Sequence, residues 1–111
     1  MTVTVAVLIP AKIAESSQTT QYTSTGVTTL IDKFTATNYS AAAATISVNL
    51  VTSAGTAGNS NIITKTKTLQ PNEVYTFPEL VGAALAPGDF ISTLAGTASA
   101  INIRASGRII T

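Results

Sequence analysis

The stretch Thr45-Ile46-Ser47-Val48-Asn49-Leu50-Val51, TISVNLV, decides the fold class. Ile46, Val48 and Leu50 fall on one face of an extended chain, and Thr45, Ser47 and Asn49 on the other. That is the period-two signature of a strand. The alanines that precede it, Ala41 to Ala44, favour helix on propensity alone. Four residues are too few to hold one, because helices under about 12 residues need tertiary support.

Working outward, the same alternation recurs in both directions. Val3, Val5, Val7 and Ile9 alternate with Thr2, Thr4, Ala6 and Leu8, and Pro10 is expected to end that strand. Ala6 and Leu8 are themselves apolar, so the second face of this strand is expected to be covered too, by the domain or by a neighbouring subunit. The Thr-rich run that follows reads as two strands, about 18 to 24 and 27 to 38, hinged near Gly26. In the second, Leu30, Asp32, Phe34 and Ala36 share a face opposite Ile31, Lys33 and Thr35. Asp32 must therefore sit near an edge or find a partner.

Beyond Val51, NIITKTKTL sets Lys65 and Lys67 with Ile63 on one face, against Ile62, Thr64, Thr66 and Thr68. Alternating Lys and Thr suits an edge strand. Gln70-Pro71-Asn72-Glu73 is a turn with proline second. VYTF is a short strand stopped by Pro78. Pro78 and Glu79 suit the first turn of a helix, which predicts a single helical turn near 78–84, and Pro87-Gly88 marks another turn. DFISTLAG and ASAINIRASGRIIT are the last two strands, with a bulge or bend expected at Gly107.

About eight short antiparallel strands with turn signals between them predict an all-β protein. The 111 residues are expected to form one β-sandwich domain spanning 1–111, of immunoglobulin-like or jelly-roll type. No internal repeat argues for a propeller or a solenoid.

Composition narrows function by exclusion. Charged residues make up 10% of the chain against 45% hydrophobic, so its surface must be built of Thr, Ser, Asn and Ala. Such a surface suits protein–protein packing, since charge is depleted at interface cores. The net charge is +1, and the basic residues Lys12, Lys33, Lys65, Lys67, Arg104 and Arg108 are scattered, with no basic stripe for nucleic acid. Without histidine or cysteine the commonest general base and the thiolate ligands are missing. The start MTVTVAVLIPAK lacks the basic region of a secretory signal, and its apolar run is far short of the ~20 residues that span a bilayer. Retention in the cytosol, or assembly there into something larger, is expected.

The loop Gly55-Thr56-Ala57-Gly58-Asn59-Ser60 is spaced Gly-x-x-Gly before a strand, which fits neither a P-loop nor a dinucleotide fingerprint. It reads as an exposed hairpin loop, with Gly55, Thr56, Gly58, Asn59 and Ser60 as a candidate binding tip. Glu15, Asp32, Glu73, Glu79 and Asp89 lie at turns and strand ends and make no glycosidase pair or calcium cluster. The hydroxyls have no Gly-x-Ser-x-Gly elbow to activate them. No catalytic, cofactor or metal residues are assigned, and no enzymatic activity is expected.

The segment from QYTSTGVTTLIDKFTATNYS through SVNLV and its Gly/Ser/Asn loop, then LQPNEVYTFPELVG, PGDFI and INIRASGR, resembles small structural proteins of tailed bacteriophages and prophages. The resemblance runs from Gln21 to Arg108. It implies a non-enzymatic virion β-sandwich, serving in capsid decoration or as a neck or tail accessory, assembled in the host cytoplasm. It brings no site residues with it. With it, Val3, Val5, Ala6, Val7 and Leu8 become the candidate oligomer or capsid contact. The expected partners are further copies of the chain and other virion proteins, with neither nucleic acid nor membrane. The alternative is a module that binds host-surface glycans through the 52–60 loop and the tyrosine or phenylalanine rings.

Overall fold

β-Branched and hydroxyl residues dominate the chain, and a computed structural model describing residues 1–111 arranges them in strands with no helix. The strands are β1 Val3–Ile13, β2 Thr19–Thr23, β3 Thr28–Asn38, β4 Ala44–Val51, β5 Ile62–Leu69, β6 Val74–Tyr75, β7 Ala84–Leu85, β8 Phe90–Ala95 and β9 Ile101–Ile110. One sheet has the order β1-β9-β3-β6, with β7 also on β3, and the other is β2-β8-β4-β5. Every pairing is antiparallel.

An immunoglobulin sandwich keeps its first two strands in one sheet. Here β1 and β2 lie in different sheets, and the chain changes sheet at each step except β4 to β5 and β6 to β7. The first strand pairs with the last. This is the order of a jelly roll. Gly26, at φ 70, lies on the crossover from β2 to β3.

The core fills the space between the sheets. β4 contributes Ile46 and Val48, β9 contributes Ile101 and Ile103, and β3 contributes Ile31 and Phe34, all fully buried. Each such side chain stabilises the fold by roughly 1.5–3 kcal/mol relative to exposure. The Phe34 ring meets Phe77 edge-on at 4.8 Å. The polar groups that are buried find partners. Asn38 donates to the carbonyls of Ala42 and Leu69 and accepts from Ser40, which fixes the crossover to β4.

Irregularities reset several faces. β1 continues to Ile13 through Pro10, with register shifts between Val7 and Ile9 and between Ile9 and Lys12. Pro10 is tolerated because β1 is an edge strand, where a missing N–H breaks no ladder bond on the open side. In β3 the shift lies between Ile31 and Lys33, opposite Ser106 and Gly107. It turns both Ile31 and Phe34 inward and leaves Asp32 outside. Gly107 is therefore not the bulge. It is the place where β9 comes so close to β3 that a Cβ would collide with the Leu30 carbonyl. In β5, Thr66 at φ 43 breaks the alternation, so Lys67 leaves the face it was expected to share with Lys65 and Ile63.

The helical turn expected near 78–84 does not form. Leu80 N–H bonds the Phe77 carbonyl and Ala83 N–H bonds that of Leu80, giving two successive turns. Pro78 stands second in the first, a position proline favours as much as a helix start. Gly82, third in the second turn, has φ 85, which ends any helical path. Bonds between Ile31 and both Gly82 and Ala83 dock this segment on β3, and Leu80 is buried.

Candidate functional site

The expected contact strand divides by face. Leu8 is 4% exposed and belongs to the core, and Ala6 packs against it. Val3, Val5 and Val7 point the other way, at 51%, 82% and 54% exposure. The register places Val3 beside Ile110, and Val5 beside Arg108 with Leu30 beyond it. Residues directly opposite share a face, so these side chains form one apolar field on the outer surface of the sheet. Arg108 lies within the field, and its Nε and one terminal nitrogen grip Asp32 at 2.9–3.2 Å. The hydrogen bonds and charge of Asp32 raise the Arg108 pKa. The pair is neutral as a unit, and Lys33, opposite Ser106 in the row of Val7, leaves one positive charge at the border of the field.

The loop after β4 is built differently. Asn49, 2% exposed, donates to the Gly58 carbonyl and to Asn61 Oδ1. Asn61 accepts from Gly58 N–H and donates to the Thr56 carbonyl. Gly55 N–H bonds the Thr52 carbonyl. The glycine N–H groups are thus used inside the loop, and Thr56, Asn59 and Ser60 form its exposed tip. Asn49 and Asn61 organise this tip. Alternation places Asn49 on the face opposite Val48 but marks neither its role nor that of Asn61 in the loop, because side-chain-to-loop bonds leave no periodic trace.

At the opposite edge of the sandwich, β5 and β6 are joined by side chains. Thr64 of β5 and the Tyr75 hydroxyl of β6 both donate to the Glu79 carboxylate. Lys67 Nζ stands 4.8 Å over the Tyr75 ring, and that ring lies 4.6 Å from Phe77. Desolvation alone would raise the Glu79 pKa, but the hydrogen bonds from Thr64 and Tyr75 outweigh it and hold the carboxyl below its ordinary range. The same bond to Glu79 pushes the Tyr75 hydroxyl up to about 12.

The remaining carboxylates have internal donors as well. Glu15 accepts from Lys12 and Gln21, Glu73 from Gln70 N–H, and Asp89 from Ser53 and Ala86 N–H. Hydrogen bonds from Gln21 and Lys12 hold Glu15 low. No group of three acidic, histidine or cysteine side chains is placed to hold a metal ion. A shallow groove lined by Ile13, Ala14, Glu15, Ser16, Ser17, Ala98 and Ser99 carries no aromatic ring.

Compared with known proteins, the chain matches no family model, no curated protein and no solved structure.

Proposed function

We propose that the chain is a non-enzymatic structural subunit of a tailed-phage virion, in capsid decoration or at the neck or tail, that works by packing on copies of itself and on other virion proteins. The observation that carries this reading is the exposed apolar field around Val3, Val5 and Val7. Contiguous exposed apolar surface marks interaction sites, and its burial would supply about 25 cal/mol per Å² before association costs. The sequence resemblance names the kind of assembly. The jelly roll is used by viral capsid proteins, an analogy at the level of fold alone.

Jelly rolls also serve as lectin domains, and the exposed Thr56, Asn59 and Ser60 favour the glycan reading. Against it, the tyrosines lie elsewhere. Tyr22 packs toward the core with its hydroxyl on Thr29, Tyr75 is engaged with Glu79, and Tyr39 precedes β4 while the loop follows it.

Co-sedimentation with purified phage heads and tails tests the proposal. Val3→Asp with Val5→Asp should cut binding by at least about tenfold, the effect of ~1.4 kcal/mol. Binding unchanged by both substitutions, or absent from the wild type, overturns it. A glycan-array signal lost on Asn59→Ala and Ser60→Ala would move the function to the loop.

A further inference from the structure

We propose that β1 is a self-pairing edge, at which two copies of this chain join antiparallel about a two-fold axis at Val5 to make one continuous sheet. The inference deepens the reading of the chain as a self-associating subunit, and rests on it, but needs nothing specific to a virion.

The hydrogen-bond phase of β1 carries the argument. Thr2 and Thr111 exchange both backbone bonds, at 3.0 and 2.9 Å. The register runs unbroken from there through Val3–Ile110 to Val7–Ser106. In an antiparallel ladder, hydrogen-bonded and non-bonded pairs alternate. Thr4 and Ala6 therefore turn their N–H and C=O groups toward β9, while Val3, Val5 and Val7 turn theirs to the open side. β1 is the end strand of its sheet, so these groups have no partner within the chain.

The two halves of β1 differ in how this edge is guarded. From Leu8 onward it has two register shifts, Pro10 and Lys12, each a device that blocks strand addition. From Thr2 to Val7 it has none: the segment TVTVAV has high β propensity and no charge, proline or glycine. Such a segment on an open edge is a template for another strand.

A second copy is the occupant this edge fits, because the segment is self-complementary. Pairing about Val5 aligns Val3 with Val7 of the other copy and Val5 with Val5. Those are the residues whose backbone groups face outward, so each pair exchanges two bonds, roughly six in all. The valines continue across the axis on the outer face, and Thr4 meets Ala6 on the inner one. Axes at Val3 or Val7 would waste part of the regular stretch or run into the register shift. Arg108 lies one strand in from the axis on each copy and is already neutralised by Asp32, so the copies meet without like-charge repulsion. One strand pair falls below the ~1,200 Å² of a standard interface, which sets the expected dissociation constant in the micromolar range.

Sedimentation of the wild-type chain from about 1 µM to about 1 mM should show a monomer–dimer equilibrium. Val5→Pro removes an N–H the protomer does not use and should weaken dimerisation by roughly 100-fold or more. In this cysteine-free chain, Val5→Cys should form a disulfide dimer on mild oxidation, since the facing Cα atoms would stand about 5.5 Å apart. Thr25→Cys, exposed elsewhere, should not. A wild type that stays monomeric, with Val5→Cys linking no faster than Thr25→Cys, overturns the pairing. An oligomer untouched by Val5→Pro also overturns it, yet leaves self-association through another surface intact. The packing reading fails separately, on particle binding indifferent to the outer valines.

Discussion

The two lateral edges of this sandwich treat the same problem in opposite ways. Where β5 stacks beside β6, Thr64, Lys67, Tyr75 and Glu79 bridge the sheets, and Lys65 and Lys67 charge the β5 edge. Where β1 forms the border, half the strand is guarded by irregular backbone, and the other half presents uncharged valines and free backbone groups. Closure at one side thus comes from side chains reaching across the sheets. The unguarded half of β1 is therefore not a general property of the fold's margins, since β5 also ends its sheet but carries lysines and is tied by side chains to β6.

Phe77→Ala is the strongest way to break the contrast. It removes a fully buried ring in contact with Phe34 and Tyr75. A loss of about 3–5 kcal/mol is expected by urea denaturation, whereas Val5→Ala on the open edge should change monomer stability by no more than about 0.5 kcal/mol. Comparable losses would mean the open edge is part of the core.

Gly107→Ala probes what holds β1 in place. The added methyl meets the Leu30 carbonyl and the Leu8 side chain, and the resulting strain should cost about 1–3 kcal/mol. Hydrogen exchange should rise first along Thr4 and Ala6, the β1 residues bonded to β9. Exchange that rises first in β5 would place the strain elsewhere.

The smallest effect is expected at the closed edge, in its pH dependence. The folded Tyr75 hydroxyl is raised from 10.0 to about 12, so its contribution is complete below pH 10 and is lost as pH climbs toward 12. Glu79 is lowered, so its contribution is present above the ordinary carboxylate range and is lost as pH falls through its depressed value. Both groups are largely exposed, and solvent screening keeps each effect to at most about 1 kcal/mol. Glu79→Gln should flatten both limbs of the stability profile. Limbs that persist in the variant would assign them to other groups.

Much of the fold was legible because its signals are local. Pro71 with Asn72 at φ 65 and Pro87 with Gly88 at φ 91 occupy the turn positions that the sequence marks. Pro78 misled because the same φ preference serves a helix start and the second position of a turn, and only docking on β3 chose between them. Pro10 misled because its effect depends on whether a neighbouring strand lies beside it. In the candidate site, alternation alone separates Val3, Val5 and Val7 from Ala6 and Leu8. It could not say which set faces the core, nor that Asn49 and Asn61 hold the loop tip.

Where strands run, where turns fall and that apolar faces must be buried can be read locally, because side-chain alternation and turn dihedrals depend on neighbouring residues. The parting of β2 and β3 into different sheets, the shift of β3 at Asp32 to meet Arg108 and the open side of β1 emerge with the assembled sandwich. Those outcomes follow from which distant strands pair. An edge is defined by the strand that is absent beside it, which no local stretch of sequence encodes.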